Sequence, residues 1–250
     1  MNITLKLLIL QVFFTPTAFA YICESESLVL DVLKQAKIQP KESALIDCKS
    51  DSMDESNVIM AYAQSQTDQG DGTSGHYLLN IIKYNRGNVR LNYHYKVAEE
   101  LVSDAISLNS IQLDTANYKI SNSNRALGIR LNYSGHSQPN PFSMTVLNLY
   151  DLKNKKTVLD SFIVTRYRAE TDTRCNAEVE DRASTLSMQN IQSNQFFDIL
   201  VKSRIDRSIF QGTRENCQEM TKPTTLEKFT LKFDGQQYQI PQAFKQEYRY

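Results

Sequence analysis

The sequence has no tryptophan, only eight glycines and three histidines in 250 residues, and no excess of charge of either sign. Its 28 lysines and arginines balance 28 aspartates and glutamates, so no overall field draws nucleic acid or an anionic membrane toward the protein. We therefore expect no nucleic-acid partner. The low glycine count also argues against a regular β-propeller.

The three histidines offer no recognisable metal site. His76, His94 and His136 share neither the His-x-His nor the His-Glu-x-x-His spacing that brings two imidazoles to one metal ion. The chain contains no Cys-x-x-Cys pair, so a zinc site would have to be assembled across distant strands. The sequence therefore predicts no metal and no other cofactor.

The sequence also lacks a recognisable hydrolase motif. The tripeptide Ser-Gly-His occurs at 74–76 and at 134–136, but neither copy fits the Gly-x-Ser-x-Gly turn of α/β-hydrolases. We therefore expect no catalytic residues. Two alternatives stay open, a triad of Ser137, a histidine and Asp104 or Asp114, and a carboxylate pair using Asp114 or Glu170 that would make the protein a hydrolase of envelope polymers.

The first twenty residues have the pattern of a secretory signal peptide. Lys6 precedes the apolar run 7–14, and the triplet Ala-Phe-Ala at 18–20 places small residues where a signal peptidase recognises them. We predict cleavage after Ala20 and a mature protein, residues 21–250, in the periplasm or the medium. No later stretch has about 18 consecutive apolar residues, so we expect no integral membrane segment after cleavage.

All four cysteines, Cys23, Cys48, Cys175 and Cys217, lie in the predicted mature chain. An even number of cysteines in an oxidising compartment predicts two disulfides, for which three connectivities are possible. We favour the local pairs, Cys23 with Cys48 and Cys175 with Cys217. The alternative is a free nucleophilic thiol or a thiolate metal site.

The spacing of apolar residues predicts one helix followed by strands. Ser25 caps a helix over 25–37, and Pro40 prevents its continuation. The period then changes to two, which is typical of strands. The segments with strand character are 58–63, 77–84, 89–97, 104–113, 127–133, 144–149, 158–164, 196–201 and 229–240. Between the second and third of these, Gly87 is free to take a positive φ in a turn.

These elements predict a single, mainly β domain of antiparallel sheets with one N-terminal helix. The segment of about 21–48 forms a helical clip at its start. The sheets form either a sandwich or an incomplete propeller-like arrangement, the latter because Leu-Asn-Tyr recurs at 91–93 and 131–133.

Two segments are candidates for binding. The stretch 68–75 holds two carboxylates and three glycines, but it lacks the EF-hand spacing, and we interpret it as an exposed contact loop. The segment 170–182, which follows the small basic-aromatic patch 166–168, is predicted to be an acidic loop that is pinned by the disulfide of Cys175 and could meet a basic partner. The predicted binding residues of the first loop are Asp68, Asp71, Ser74, Gly75, His76 and Tyr77.

Two stretches resemble known families. The strand 196–201, followed by Cys217 and the hairpin 232–238, resembles the tail of exported bacterial β proteins related to FG-GAP modules, some of which are similar to periplasmic lysozyme inhibitors. FG-GAP modules carry an Asp-x-Asp-Gly calcium loop before this strand, where this chain has Ser-Asn-Gln at 193–195. Lysozyme inhibitors use a Ser-Gly-x-x-Tyr loop, and the segment 74–77 here is one residue shorter.

Together, these observations predict an exported, non-enzymatic protein that binds another envelope or secreted protein. The resemblance implies one concrete form, an inhibitor or immunity protein that blocks an envelope-acting enzyme. The alternative is the hydrolase of envelope polymers introduced above.

Overall fold

The computed structural model describes Cys23, residues 25–66 and residues 75–245, and this part of the chain is mainly β. The predicted signal peptide lies outside the described residues. The elements are α1 (Glu26–Gln35), β1 (Leu45–Ser50), β2 (Asn57–Ser65), β3 (Gly75–Asn85), β4 (Leu91–Ser103), β5 (Ile106–Ser121), β6 (Asn124–Gly135), β7 (Phe142–Asp151), β8 (Lys156–Thr171), β9 (Ala177–Ser193), β10 (Phe196–Gly212), β11 (Cys217–Thr221), β12 (Thr225–Phe233), β13 (Tyr238–Gln239) and α2 (Gln242–Lys245).

The N-terminal helix forms where the sequence predicts it. The Ser25 hydroxyl accepts a hydrogen bond from the Leu28 N–H at 3.4 Å, which caps the first turn of α1. Val32 and Leu33 are buried against the first sheet. The Cys23–Cys48 disulfide joins the segment before α1 to β1, as predicted for the helical clip.

The first sheet has four antiparallel strands in the order β1-β2-β3-β4. Six consecutive residues of β2 are buried. Since successive side chains of a strand point to opposite sides, both faces of β2 are covered. One face of the sheet packs on α1, and the other packs on the second sheet. The residues of β2 toward α1 are Val58, Met60 and Tyr62, and those toward the second sheet are Ile59, Ala61 and Ala63.

The second sheet has nine strands, in which β5 to β10 form an antiparallel meander that β12 and β13 extend, while β11 pairs with the end of β10. One face contributes Leu113, Ile129 and Val146 to the core shared with the four-stranded sheet. The sheet curls so that β5 also contacts β9 and β10, and its other face encloses a second core around Phe162 and Val201. The two sheets therefore form a mainly β antiparallel sandwich, the first of the two predicted arrangements.

The turn between β3 and β4 differs from the prediction. The positive φ belongs to Val89, at 57°, and not to Gly87. The Asn85 side chain accepts the N–H of Gly87 at 3.0 Å and thereby forms the turn. The Gln35 amide of α1 donates to the Val89 carbonyl at 2.9 Å and accepts from the Leu91 N–H at 3.0 Å. These two bonds hold a β-branched residue in a conformation that such residues rarely adopt.

At one end of the nine-stranded sheet, the tips of two hairpins are joined covalently. The Cys175–Cys217 disulfide links the β8–β9 turn to the start of β11, with a Cα–Cα distance of 5.6 Å. Both predicted disulfide pairs are thus confirmed. We call this end, residues 166–182 and 204–222, the arm. Every residue of β11 within it is exposed.

Candidate functional site

A single row of side chains crosses the arm end of the nine-stranded sheet. Ile106 pairs with Gly135, and Arg168 pairs with both Phe142 and Glu180. A Cβ on Gly135 would lie 3.4 Å from the Phe142 Cβ, so these two residues also adjoin. Glu180 pairs in turn with Arg207 on β10. Because directly paired residues of antiparallel strands project to the same face, the row places these side chains side by side.

A cleft of about 670 Å³ lies along this row. We call it the arginine cleft. The segment 136–142 forms a further part of its wall, and the arm contributes strands β8 to β10. The charged residues of its wall are Arg166, Arg168, Glu170, Glu178, Glu180, Arg207 and Lys222, and the apolar residues include Ile106, Phe142 and Ile209.

Glu180 lies at the centre of the charged group, and three arginines contact its carboxylate. Arg166 Nη2 donates to Oε1 at 2.7 Å, Arg168 Nε lies 3.2 Å from Oε1, and Arg207 Nη2 lies 2.7 Å from Oε2. The side chains of Glu180 and Arg166 are only 7% and 3% exposed. Those of Arg168 and Arg207 are 57% and 41% exposed and reach the carboxylate from the open side of the cleft.

The arginines keep Glu180 ionised. Burial alone would raise the pKa of this carboxyl group, but the hydrogen bonds and charges of Arg166, Arg168 and Arg207 lower it to about 2. One negative charge therefore meets three positive charges. The centre of the row has a local excess of positive charge and is fixed in place by charge-assisted hydrogen bonds.

The neighbouring row contains a second buried arginine, which does not line the cleft. Arg166 pairs in register with Arg182, whose side chain is 1% exposed. Arg182 Nη1 donates to Glu227 Oε2 at 2.9 Å, and its guanidinium carbon lies 4.8 Å from the centroid of the Phe244 ring. A carboxylate on β12 and an aromatic face on α2 thus support this cation.

The acidic residues of the cleft lie toward the disulfide. Glu170 and Glu178 are directly opposite each other on β8 and β9, and such like-charged pairs are unfavourable. Next to them, the Asp172 carboxylate accepts the Arg174 and Cys175 N–H groups at 2.9 and 3.0 Å. The segment 170–182, predicted as an acidic loop, is therefore mostly strand, with a tight turn at its tip.

A second cleft, of about 340 Å³, lies on the other side of the β4–β5 turn. We call it the acidic cleft, because its charged wall residues are Glu99, Glu100, Asp104 and Asp160. Burial of the carboxyl group, and then the charge of Glu99, raise the pKa of Asp160. The adjacent Ser161 has a φ of 55°, and its N–H donates to the Asn148 side chain at 2.7 Å.

The predicted binding loop ends beside the acidic cleft. Its residues Asp68, Asp71 and Ser74 lie outside the described part of the chain. Gly75 begins β3, and His76 Nδ1 is 3.0 Å from Glu100 Oε2 in the wall of the acidic cleft. Tyr77 requires a correction, because its side chain is buried in the core between the sheets and is not on a binding surface.

Among the described residues, the hydrogen bonds of the alternative Ser-His-Asp triad lead to other partners. His136 Nε2 is 2.9 Å from the hydroxyl of the buried Ser107, whereas the Ser137 hydroxyl accepts the N–H of Asn140. Asp104 accepts the N–H of Ile106 at 3.0 Å. The two candidate residues His136 and Ser137 nevertheless both line the arginine cleft.

The carboxylate Asp114 belongs to neither cleft. Its Oδ2 lies 2.8 Å from Arg130 Nη2 and accepts a hydrogen bond from the Tyr118 hydroxyl at 2.8 Å. Burial alone would raise the pKa of Asp114, but the hydrogen bonds from Ala116, Tyr118 and Arg130 together lower it. Asp114 is thus held by an arginine and a tyrosine away from the clefts, whereas Glu170, the other carboxylate of the alternative hydrolase, lies in the wall of the arginine cleft.

The convergence on Glu180 was not predicted from the sequence. A signal for it exists, because Arg166, Arg168 and Glu170 alternate along β8 in the same way as Glu178, Glu180 and Arg182 along β9. Such alternation indicates two strands that each carry charges on one face. It does not reveal that the two faces are paired, nor that Arg207 joins them from β10.

Within residues 25–66 and 75–245, no group of three or more histidine, cysteine, aspartate or glutamate side chains is arranged to hold a metal ion. Neither helix in this described region has the length and apolar character needed to cross a membrane. Comparison with known protein families, with curated proteins and with solved structures found no match.

Proposed function

We propose that the protein is exported and binds another envelope or secreted protein through the arginine cleft, thereby inhibiting an envelope-acting enzyme. The observation that carries the proposal is the pair Arg168 and Arg207, which are exposed yet held in fixed orientations by the buried Glu180. Arginines held in this way are well suited to protein binding, because little side-chain entropy is lost when a partner docks.

The surface around the cleft is rigid for a second reason. The Cys175–Cys217 disulfide joins the two hairpins that form the arm, so the cleft wall cannot open by separation of these hairpins. Both disulfides are compatible with an extracellular or periplasmic protein, which agrees with the predicted export.

The two clefts together present both signs of charge to a partner. They adjoin at Ile106, which lines both of them, with the arginines on one side and the carboxylates of Glu99, Glu100 and Asp160 on the other. A partner with the opposite arrangement would be oriented before contact, and unsuitable partners would be repelled. The predicted loop 68–77 ends at the acidic side of this surface.

Site-specific photo-crosslinking tests the proposal. The Glu178→p-benzoylphenylalanine variant places the probe in the wall of the arginine cleft, and a Met53 variant places it on an exposed turn away from both clefts. We expect the probe at 178, and not the probe at 53, to capture one discrete protein from an envelope extract. We also expect the mature protein, at one equivalent, to lower the hydrolytic rate of the captured partner. Equal capture at both positions, or an unchanged rate, would contradict the proposal.

A second candidate function, hydrolysis of an envelope polymer, is favoured by Asp160 in the acidic cleft. A carboxyl group with a raised pKa next to a second carboxylate is the arrangement from which a general acid is built. Turnover of purified cell-wall polymer that disappears in Asp160→Asn and Glu99→Gln, but persists in the control Glu55→Gln, would support the hydrolase. Absence of turnover in the native protein would exclude it for that polymer.

A further inference from the structure

We infer that the arginine cleft binds a carboxylate of the protein partner, carried by a peptide segment that has an apolar side chain next to the carboxylate. The inference rests on the proposed function, because it specifies the chemistry of the partner at that surface. Three features support it: the charges around Glu180, the remaining N–H donors of Arg168 and Arg207, and the apolar part of the cleft wall.

The charges in contact with Glu180 are unbalanced, and they come from Arg168 and Arg207 of the same row and Arg166 of the neighbouring row. Arg166, Arg168 and Arg207 contribute three positive charges, and Glu180 contributes one negative charge. The nearest carboxylates along the strands, Glu170 and Glu178, belong to the next row, about 7 Å away. A second anion placed beside Arg168 and Arg207 would offset the remaining positive charge at short distance.

The two exposed arginines have donors available for that anion. Arg168 contacts Glu180 through Nε and Nη2, and Arg207 does so through the same two nitrogens. Arg207 Nη1 also donates to Thr225 Oγ1, at 3.5 Å. A guanidinium has five N–H groups in a planar fork, so each side chain still retains donors beyond these contacts. This geometry suits a planar carboxylate, which accepts two parallel hydrogen bonds from one guanidinium.

The apolar part of the wall lies at the other end of the same row. Ile106 and Phe142 flank Gly135, where a Cβ would lie 3.2 Å from Ile106 Cδ1. The side chains of Ile106 and Phe142 therefore close over Gly135, and their partly exposed surfaces form an apolar patch in the cleft wall. Ile209 of the arm also lines the cleft. An apolar side chain of the partner would bury its surface here while the carboxylate reaches the arginines.

Peptide binding measured by fluorescence anisotropy tests the inference on the mature protein with both disulfides intact. The probes are fluorescein-labelled Gly-Ser peptides with a central Phe-Glu, Phe-Gln or Gly-Glu. We expect the Phe-Glu peptide to bind at least tenfold more tightly than the Phe-Gln peptide and several-fold more tightly than the Gly-Glu peptide. We expect millimolar inorganic phosphate not to displace it.

Variants identify the site. Arg168→Gln and Arg207→Gln are expected to weaken binding of the Phe-Glu peptide at least tenfold, and Arg168→Lys to restore only part of the loss, because lysine lacks the planar fork. The matched control is Arg204→Gln, an exposed arginine of β10 that contacts Asp206 and does not line the cleft, and it should bind as the native protein does. Thermal unfolding verifies that each variant is folded. If the Arg207 variant does not fold, the Arg168 variant alone provides the test, because Arg168 is the more exposed of the two.

Three results would overturn the inference. These are equal affinity for the glutamate and glutamine peptides, displacement of the peptide by phosphate at similar concentration, and unchanged binding by Arg168→Gln. Displacement by phosphate would identify a general anion site. A partner cross-linked at position 178 without any peptide preference would overturn the inference and leave the proposed function intact. A clear preference for the Phe-Glu peptide without a cross-linked partner would support carboxylate binding in the cleft and contradict the proposed function.

Discussion

Removal of the Glu180 carboxylate is the most direct perturbation of the arginine cleft. In Glu180→Gln, the shape of the side chain is kept, but three guanidinium groups converge on a neutral amide whose N–H₂ group is itself a donor. Because Glu180 and Arg166 are almost wholly buried, water cannot replace the missing charge at Arg166. We therefore expect a substantial loss of stability.

The magnitude follows from the pKa of Glu180. Its value falls from 4.5 to about 2 on folding, a change of about 2.5 units, and each unit corresponds to about 1.4 kcal/mol. The carboxylate thus contributes about 3 kcal/mol at pH 7, at the lower end of the range for breaking a buried ion pair. With a urea dependence of about 3 kcal/mol per molar, the unfolding midpoint should fall by about 1 M.

The pH dependence gives a second, independent readout. The folded-state pKa lies below the unfolded-state value, so the stabilisation is fully present above pH 4.5 and is lost as the pH falls toward 2. The difference between native and Glu180→Gln proteins should therefore be largest at neutral pH and shrink progressively below pH 4.5. Urea unfolding monitored by tyrosine fluorescence measures it at each pH.

A matched control is available on the same strand. Glu178→Gln removes a carboxylate from the same face of β9, but this residue is exposed and sits opposite another glutamate. Its stability should be unchanged or slightly increased. If Glu180→Gln unfolds at the same urea concentration as the native protein at pH 7, or if the difference persists unchanged at pH 2.5, then the arginines do not hold Glu180 as described.

Three further predictions concern the fold. Replacing Cys175 and Cys217 by serine should lower the free energy of unfolding by about 4 kcal/mol, in the chain-entropy account of a loop whose ends are 42 positions apart in the sequence. Urea titration with and without reductant measures the change. Gly128→Ala should lower the free energy of unfolding by about 1–3 kcal/mol, because the new Cβ would lie 2.9 Å from side-chain atoms of two neighbouring residues. In the control Gly87→Ala, the atom nearest to the new Cβ is 3.5 Å away, so thermal unfolding should be almost unchanged. Leu79→Ala, in the core between the sheets, should cost about 2–5 kcal/mol; a cost below 1 kcal/mol would contradict the packing described.

The fold was predictable where the signal is local. The helix over 25–37 has a cap and a regular spacing, and β2 shows apolar residues on both faces, so both could be derived from short windows of sequence. The turn at Val89 could not, because its conformation depends on Gln35, which is 54 residues away in the chain. Nor could the burial of Tyr77, which depends on the second sheet lying over β3.

The candidate site was less predictable than the fold, for a related physical reason. Arg168, Glu180 and Arg207 each stand in an alternating strand pattern, but which residues face each other depends on the register of three strands. A shift by one residue would send the whole set to the opposite face. Local propensity carries no information on this register. The resemblance to FG-GAP modules and lysozyme inhibitors remains a prediction.

If the protein is exported as proposed, the pattern of the two disulfides has a consequence for how these bonds form. Each cysteine is bonded to the next one along the chain, first with second and third with fourth. A polypeptide that is threaded across a membrane from its N-terminus delivers its thiols in this same order. An oxidase that simply joins each newly arrived thiol to the unpaired one before it would therefore generate the native bonds directly. In that order of oxidation, no wrongly formed bond arises that an isomerase would have to exchange.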